Sequence, residues 1–90
     1  MEYKFIASAI KVKDANTGYY IIITGKRHYN CYEWAYKHKL NSTEVDEGFI
    51  IRNNGTDSFY NRSDAAEIAR SIGINSEYKN CLYSEDIWAD

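Results

Sequence analysis

Apolar and polar positions alternate along the first third of the chain in a way that favours strands. Residues 3–12 (YKFIASAIKV) alternate imperfectly but are rich in β-formers, and they predict a first strand. Residues 13–18 (KDANTG) are turn chemistry, because Asp, Asn and Gly tolerate the left-handed backbone that a hairpin loop requires. The β-branched and aromatic run GYYIIIT, residues 18–24, predicts a central strand buried on both faces and paired antiparallel with the first.

After Gly25 the period changes to that of a helix, expected over residues 28–40, with Cys31, Trp34, Ala35 and His38 on its inner face. The polar stretch 41–47 reads as a loop. GFIIRNN (48–54) and DSFYN (57–61) read as short strands around Asn54-Gly55, the strongest hairpin signal in the chain. A second helix starts at an Asn61 cap with Asp64 three residues on. It buries the stripe Ala65, Ile68, Ala69, Ile72 and stops at Gly73. Residues 75–90 form a C-terminal extension with an irregular loop and a last short strand. The expected fold class is α+β, a single domain over residues 1–90. It is a small antiparallel sheet with two helices, in the order ββαββα plus that extension.

Composition narrows the partners. The formal net charge of −2 gives no basic field for a nucleic-acid duplex, and no apolar run reaches the roughly 20 residues of a membrane helix. The start MEYKFIASAIKVKD reads as a strand and not as a signal peptide, so a cytoplasmic location with reduced thiols is expected. Cys31 and Cys81 lie far apart. Cys31 with His28 or His38 supplies only part of a zinc site, so neither a metal nor a cofactor is expected. The 9 tyrosines and 2 tryptophans suit both strand faces and stacking on planar ligands.

Candidate chemistry gathers where strands hand over to helices. Lys26, Arg27 and His28 stand at the first handover, where free N–H groups and the helix dipole favour an anion; a planar guanidinium matches phosphate or carboxylate. Solvated cations are the plain alternative. Arg62 stands at the second handover beside Phe59 and Tyr60, which offer a stacking face, and an ion pair with a tail carboxylate would explain it equally well. Both helix starts are placed to converge on one ligand. Ser84, Glu85 and Asp86 bring a hydroxyl and two acids that suit ribose hydroxyls, or simple solvation. No nucleophile elbow, phosphate loop or HExxH helix is present; His28 and Cys31 are within a helical turn, but a cysteine on an inner helix face is commonly core.

Read together, GKRHYNC (25–31), GF (48–49), FYNRSDAAEIA (59–69) and LYSEDIW (82–88) resemble a set of small phage-encoded proteins of uncharacterised function, over about residues 24–88. The family helix closes Ala-Gly-Gln, whereas this chain has Ile72-Gly73-Ile74, so any role of that glutamine is absent. Small phage proteins of this kind look similar to anti-defence sponges that sequester nucleotide immune signals. The resemblance implicates Arg27, His28, Cys31, Phe49, Arg62, Ser84, Glu85 and Asp86 as ligand-binding residues, with Tyr60 or Phe49 against the base.

The expected function is therefore capture of a small nucleotide-derived signal without turnover, by a homodimer or higher homo-oligomer with its site near the interface. The arginines would neutralise phosphate, His28 would donate to phosphate or ribose, and Glu85 or Asp86 would take ribose hydroxyls. Two rivals stay open. One is a small phosphodiesterase or hydrolase using His28 with Glu85 or Asp86; the other is a direct protein-binding inhibitor of a host defence protein that uses the tyrosine-rich surface.

Overall fold

The structure is a computed structural model that describes residues 2–38, 42–74 and 82–88. Four antiparallel strands form one sheet: β1 (Tyr3–Asp14), β2 (Tyr20–Gly25), β3 (Ser42–Asn53) and β4 (Thr56–Asn61), in the spatial order β2-β1-β3-β4. Helix α1 (His28–Lys37) follows β2, α2 (Arg62–Ser71) follows β4, and a single helical turn, α3 (Ser84–Ile87), comes last. The domain is thus α+β with the ββαββα order that the sequence predicts.

The register shows how the sheet divides its faces. Ser8 lies opposite Gly25 and Phe49, Ile10 opposite Ile23 and Glu47, and Val12 opposite Ile21 and Val45. Side chains directly opposite share a face, so these residues line one side of the sheet. Both long helices pack on that side, making two layers. Phe49 and Ile51 meet Ala65, Ala66 and Ala69 of α2 together with Leu82, while Ile10, Val12 and Ile23 meet Cys31 of α1. A register shift between Phe5 and Ala7 returns Phe5 to the same face, where its ring packs edge-on against Phe49 with centroids 5.5 Å apart.

Local chemistry accounts for the turns and caps. Asn54 and Gly55 both have positive φ, 52° and 84°, as the two-residue β3–β4 hairpin requires. The Asn61 side chain accepts the Asp64 backbone N–H at 2.9 Å and so caps α2. Gly73, with φ 87°, follows the end of α2.

Several expectations need correction. The run at β2 is an edge strand, not the central doubly buried one; β1 and β3 hold the centre. An uncharged β-branched run fits either position, since one face and the outer edge of such a strand remain open. Residues 42–47 are not a loop: they extend β3, pairing Glu44 with Lys13 and Asp46 with Lys11. Opposite charges across the ladder stabilise this polar stretch as strand. Helix α1 ends at Lys37; the expected remainder at 39–40 lies outside the described residues. Its inner face is His28, Cys31 and Ala35, while Trp34 (43% exposed) and His38 stack on each other outside, centroids 3.8 Å apart. Residues 84–87 are a helical turn rather than a last strand, closed by the Tyr83 N–H donating to Asp86 Oδ2 at 3.0 Å. The expected irregular loop at 75–81 lies outside the described residues.

Gly48 is the most tightly enclosed of the glycines. A Cβ there would stand 2.0 Å from the Tyr60 carbonyl oxygen and 2.8 Å from Phe59 Cζ. The backbone oxygen has no freedom to yield without breaking the β3–β4 ladder. We expect Gly48→Ala to cost about 3 kcal/mol and Asn61→Ala about 1 kcal/mol, read as shifts of the urea unfolding midpoint.

Candidate functional site

Two hydrophobic clusters fill the space between helices and sheet, and a polar seam runs between them. Its members come from β1 and β3, from the starts of both long helices and from the start of α3 with the residues just before it. Four of its polar side chains, Ser8, Arg27, His28 and Ser84, are buried. Buried polar groups persist only where they find partners, and each of these does.

Arg27 precedes α1 with extended backbone and is 6% exposed. Its N–H donates to Asn30 Oδ1 at 3.0 Å, which fixes the helix start, and its Nη1 donates to the Ser84 carbonyl at 3.0 Å. Thus Arg27 is not a solvated cation. His28, 7% exposed, bonds the Gly48 carbonyl through Nε2 at 2.7 Å and meets Arg62 Nη2 through Nδ1 at 3.3 Å. A carbonyl only accepts and a guanidinium only donates, so Nε2 carries the proton and Nδ1 the lone pair. The neutral ring satisfies both contacts and packs edge-on against Phe49, centroids 5.1 Å apart.

Arg62 is the hub. Its side chain is 16% exposed and makes contacts in four directions. Nε and Nη2 reach Glu47 Oε1 at 2.9 and 2.6 Å, Nη1 donates to the Leu82 carbonyl at 2.8 Å, Nη2 meets His28, and the guanidinium lies 4.5 Å from the Tyr83 ring centroid. Its carboxylate partner is Glu47 on β3 rather than an acid of the tail. Tyr32, one helical turn after His28, donates its hydroxyl to Glu47 Oε2 at 2.5 Å. Partial burial works to raise the Glu47 pKa, but the Tyr32 hydrogen bond and the charge of Arg62 outweigh it and hold the carboxyl below its ordinary value. Burial, and then Glu47 itself, push the Tyr32 hydroxyl well above the usual phenol range.

The expected convergence of the two helix starts is therefore present, through the contact between His28 and Arg62. In this structure the groups that the two guanidinium ions hold include the backbone carbonyls of Leu82 and Ser84. Phe49 lies fully buried beneath His28. Cys31 is buried in the β1–β2–α1 cluster, its thiol within 3.7 Å of the Ser8 carbonyl and 3.6 Å of the Arg27 carbonyl. Burial raises its pKa to about 11. Tyr60 packs half-buried against the other cluster, on the Phe49 side of β4. Asp86 caps the final turn, and of Glu85 only the backbone is described.

Glu47 and Tyr32 escaped the reading of the sequence. The available signal was weak: Glu47 shares a strand face with Phe49, which shows only once residues 42–47 are read as strand. Above this seam the surface opens into a depression of about 520 Å³. Tyr32, Asp46, Glu47, Asn61, Arg62 and Ser63 line it, so it joins the Arg62–Glu47 pair to the exposed start of α2. Among the described residues no cluster of histidine, cysteine and acidic side chains is arranged to hold a metal ion, and no helix is long and apolar enough to cross a membrane.

The model of the phage T4 y16D protein family matches residues 4–88, nearly the whole chain. The protein belongs to that family. It is a small phage protein, as the four ordered blocks suggested. No curated protein and no solved structure matches it.

Two outcomes test the seam. Because the native Glu47 pKa is lowered, its contribution to stability is complete above the unfolded value near 4.5 and is lost as pH falls through the native value. Urea midpoints between pH 7 and pH 3 should fall on acidification below that unfolded value, and Glu47→Gln should flatten this limb while lowering the midpoint at pH 7. For Cys31, a pKa of about 11 leaves little thiolate at pH 8. In a Cys81→Ser variant the folded protein should react with a thiol reagent roughly two orders of magnitude more slowly than a free cysteine, and urea should restore the rate.

Proposed function

We propose that this phage protein acts in the host cytoplasm as an anti-defence protein: it binds a small nucleotide-derived immune signal, of the cyclic nucleotide or cyclic ADP-ribose type, and keeps it from a host effector without turnover. The observation that carries this reading is the depression beside Arg62. Its volume lies in the usual range of small-molecule sites, and it sets complementary groups side by side. Arg62 and the start of α2 suit phosphate. The Asp46 and Glu47 carboxylates suit ribose hydroxyls, and the Tyr32 ring suits a flat base.

Burial gives the nine implicated residues different parts in this scheme. Arg62 is the group at the ligand surface. Arg27, His28, Phe49 and Ser84 act from beneath, holding the Arg62–Glu47 floor and the segment that crosses it. Cys31 and Tyr60 contribute packing, and Glu85 with Asp86 belongs to the last turn beside Tyr83. The hydrolase alternative draws less support, because both ring nitrogens of His28 are engaged with Gly48 and Arg62. A direct protein inhibitor draws support from Tyr19, Tyr29 and Tyr36, all well exposed.

A capture and release assay separates the three. The protein is incubated with cyclic nucleotides and cyclic ADP-ribose isomers and removed by filtration, and the retained material is heated and chromatographed. Sequestration predicts that one compound disappears and returns intact. Arg62→Lys, which keeps the charge but loses the planar fork, should weaken retention by roughly 10-fold to 100-fold. Return of an altered compound would establish the enzyme, and capture of none would move the function to a protein partner.

A further inference from the structure

The two edges of the sheet are guarded very differently. On β4, Asp57 forms an exposed ion pair with Arg52, Nε to Oδ1 at 2.7 Å, and the strand is polar at its start. Charge of this kind discourages a second sheet from pairing there. The β2 sequence, YIIITG, contains no charged residue and no proline, and it lies at the opposite edge. Ile22, 46% exposed, and Tyr20 stand out on its helix-free face.

The hydrogen-bonding phase of this edge follows from the β1–β2 turn. Asp14 N–H donates to the Tyr19 carbonyl at 2.9 Å, so this directly opposed pair is of the hydrogen-bonded type. Counting along the ladder, Ile21 and Ile23 turn their backbone groups towards Val12 and Ile10. The N–H and C=O groups of Tyr20, Ile22 and Thr24 therefore point away from the sheet.

On the helix side, the edge is bordered by Trp34. A groove of about 230 Å³ runs between this indole and residues 21–24. Trp34 lies on the flank of α1 opposite to Tyr32, which faces β3, and its ring is held by the stack on His38. An extended chain laid along β2 would bond to the open backbone groups and cover the indole.

We propose that a second copy of this chain occupies the groove, through antiparallel pairing of β2 with β2 about a two-fold axis at Ile22. This pairing sets Ile22 opposite Ile22, and Tyr20 opposite Thr24, on one face. On the other it sets Ile21 opposite Ile23. All are β-branched or aromatic pairs, and no charge meets a like charge. All three outward residues find backbone partners, because the two-fold operation maps the open positions onto one another. The axis runs perpendicular to the sheet, so both copies keep their helices on one side and α1 of each lies beside α1 of the other. Trp34 is then buried between them instead of facing water. The result is a continuous eight-stranded sheet with only the charged β4 edges left open, a closed and isologous assembly.

This interface does not depend on the ligand reading, because the depression at Arg62 lies on the β3 side of α1. The test is the mass in solution together with a symmetric cross-link. Light scattering at tens of micromolar should give twice the 10.5 kDa chain mass. Ile22→Lys should give the single-chain mass with an unchanged circular dichroism spectrum. In the hydrogen-bonded pair, opposed Cα atoms are about 5.5 Å apart, inside the range a disulfide spans. Ile22→Cys should therefore form a covalent dimer on mild oxidation, several-fold more than the unsubstituted chain or Ser58→Cys on β4. A single-chain mass for the unsubstituted protein, a folded Ile22→Lys variant that stays dimeric, or equal cross-linking at 22 and 58 would each overturn the proposal. Signal capture by a monomer would do the same while leaving the ligand reading standing.

Discussion

The contact between Arg62 and Glu47 organises the rest of the molecule. An arginine in the first turn of a helix meets the positive end of the helix dipole, an unfavourable place for a cation unless an anion lies close. Glu47 supplies that anion from β3, and it sits there because the strand continues well before Gly48. The same guanidinium then reaches His28 at the start of α1 and the Leu82 carbonyl in the tail. One side chain therefore ties three separate stretches to the central strand. Neither hydrophobic cluster spans both long helices, so this polar seam joins the two halves of the core.

A seam of this kind gives specificity more than strength. Burying charge costs about as much as the pairing returns, and removing one partner leaves the other exposed to the full penalty. The directional demands are strict: His28 must present Nδ1 to Arg62 and Nε2–H to Gly48, and Gly48 must lack a side chain so that β4 can lie close. These requirements bring together Gly48, His28 and Arg62, one residue from each of the blocks 48–49, 25–31 and 59–69. In the fold these residues constrain one another, and the proposed ligand reading builds on the part of the seam that reaches the surface.

Most of the fold was legible because its signals are local. Asn54-Gly55 encodes a hairpin, Asn61 encodes a helix start, and Ala65, Ala66 and Ala69 let α2 approach the sheet closely. What stayed hidden depends on distant partners. The β2 run has the same composition whether its outer edge is paired or open. Residues 42–47 look like loop until Lys11 and Lys13 of β1 are placed opposite them. At the candidate site, Arg27, His28 and Arg62 were conspicuous as cations at helix starts. Their burial was not, because it depends on carbonyl oxygens, and every residue carries one of those. Tyr32 and Glu47 joined the site only through a contact between a helix and a strand.

The position of Leu82 and Ser84 along the chain has a consequence for biosynthesis. These carbonyls accept from Arg62 and Arg27, yet they follow all four strands and both long helices in order of translation. A nascent chain that has emerged only as far as α2 has the sheet and helices available to it but lacks two acceptors for its buried guanidinium groups. Arg62 already has Glu47 and His28 within that length, but the Leu82 and Ser84 carbonyls, which complete the hydrogen bonding of the two arginines, come only with the tail. The last-made described segment thus supplies contacts at the centre of the fold.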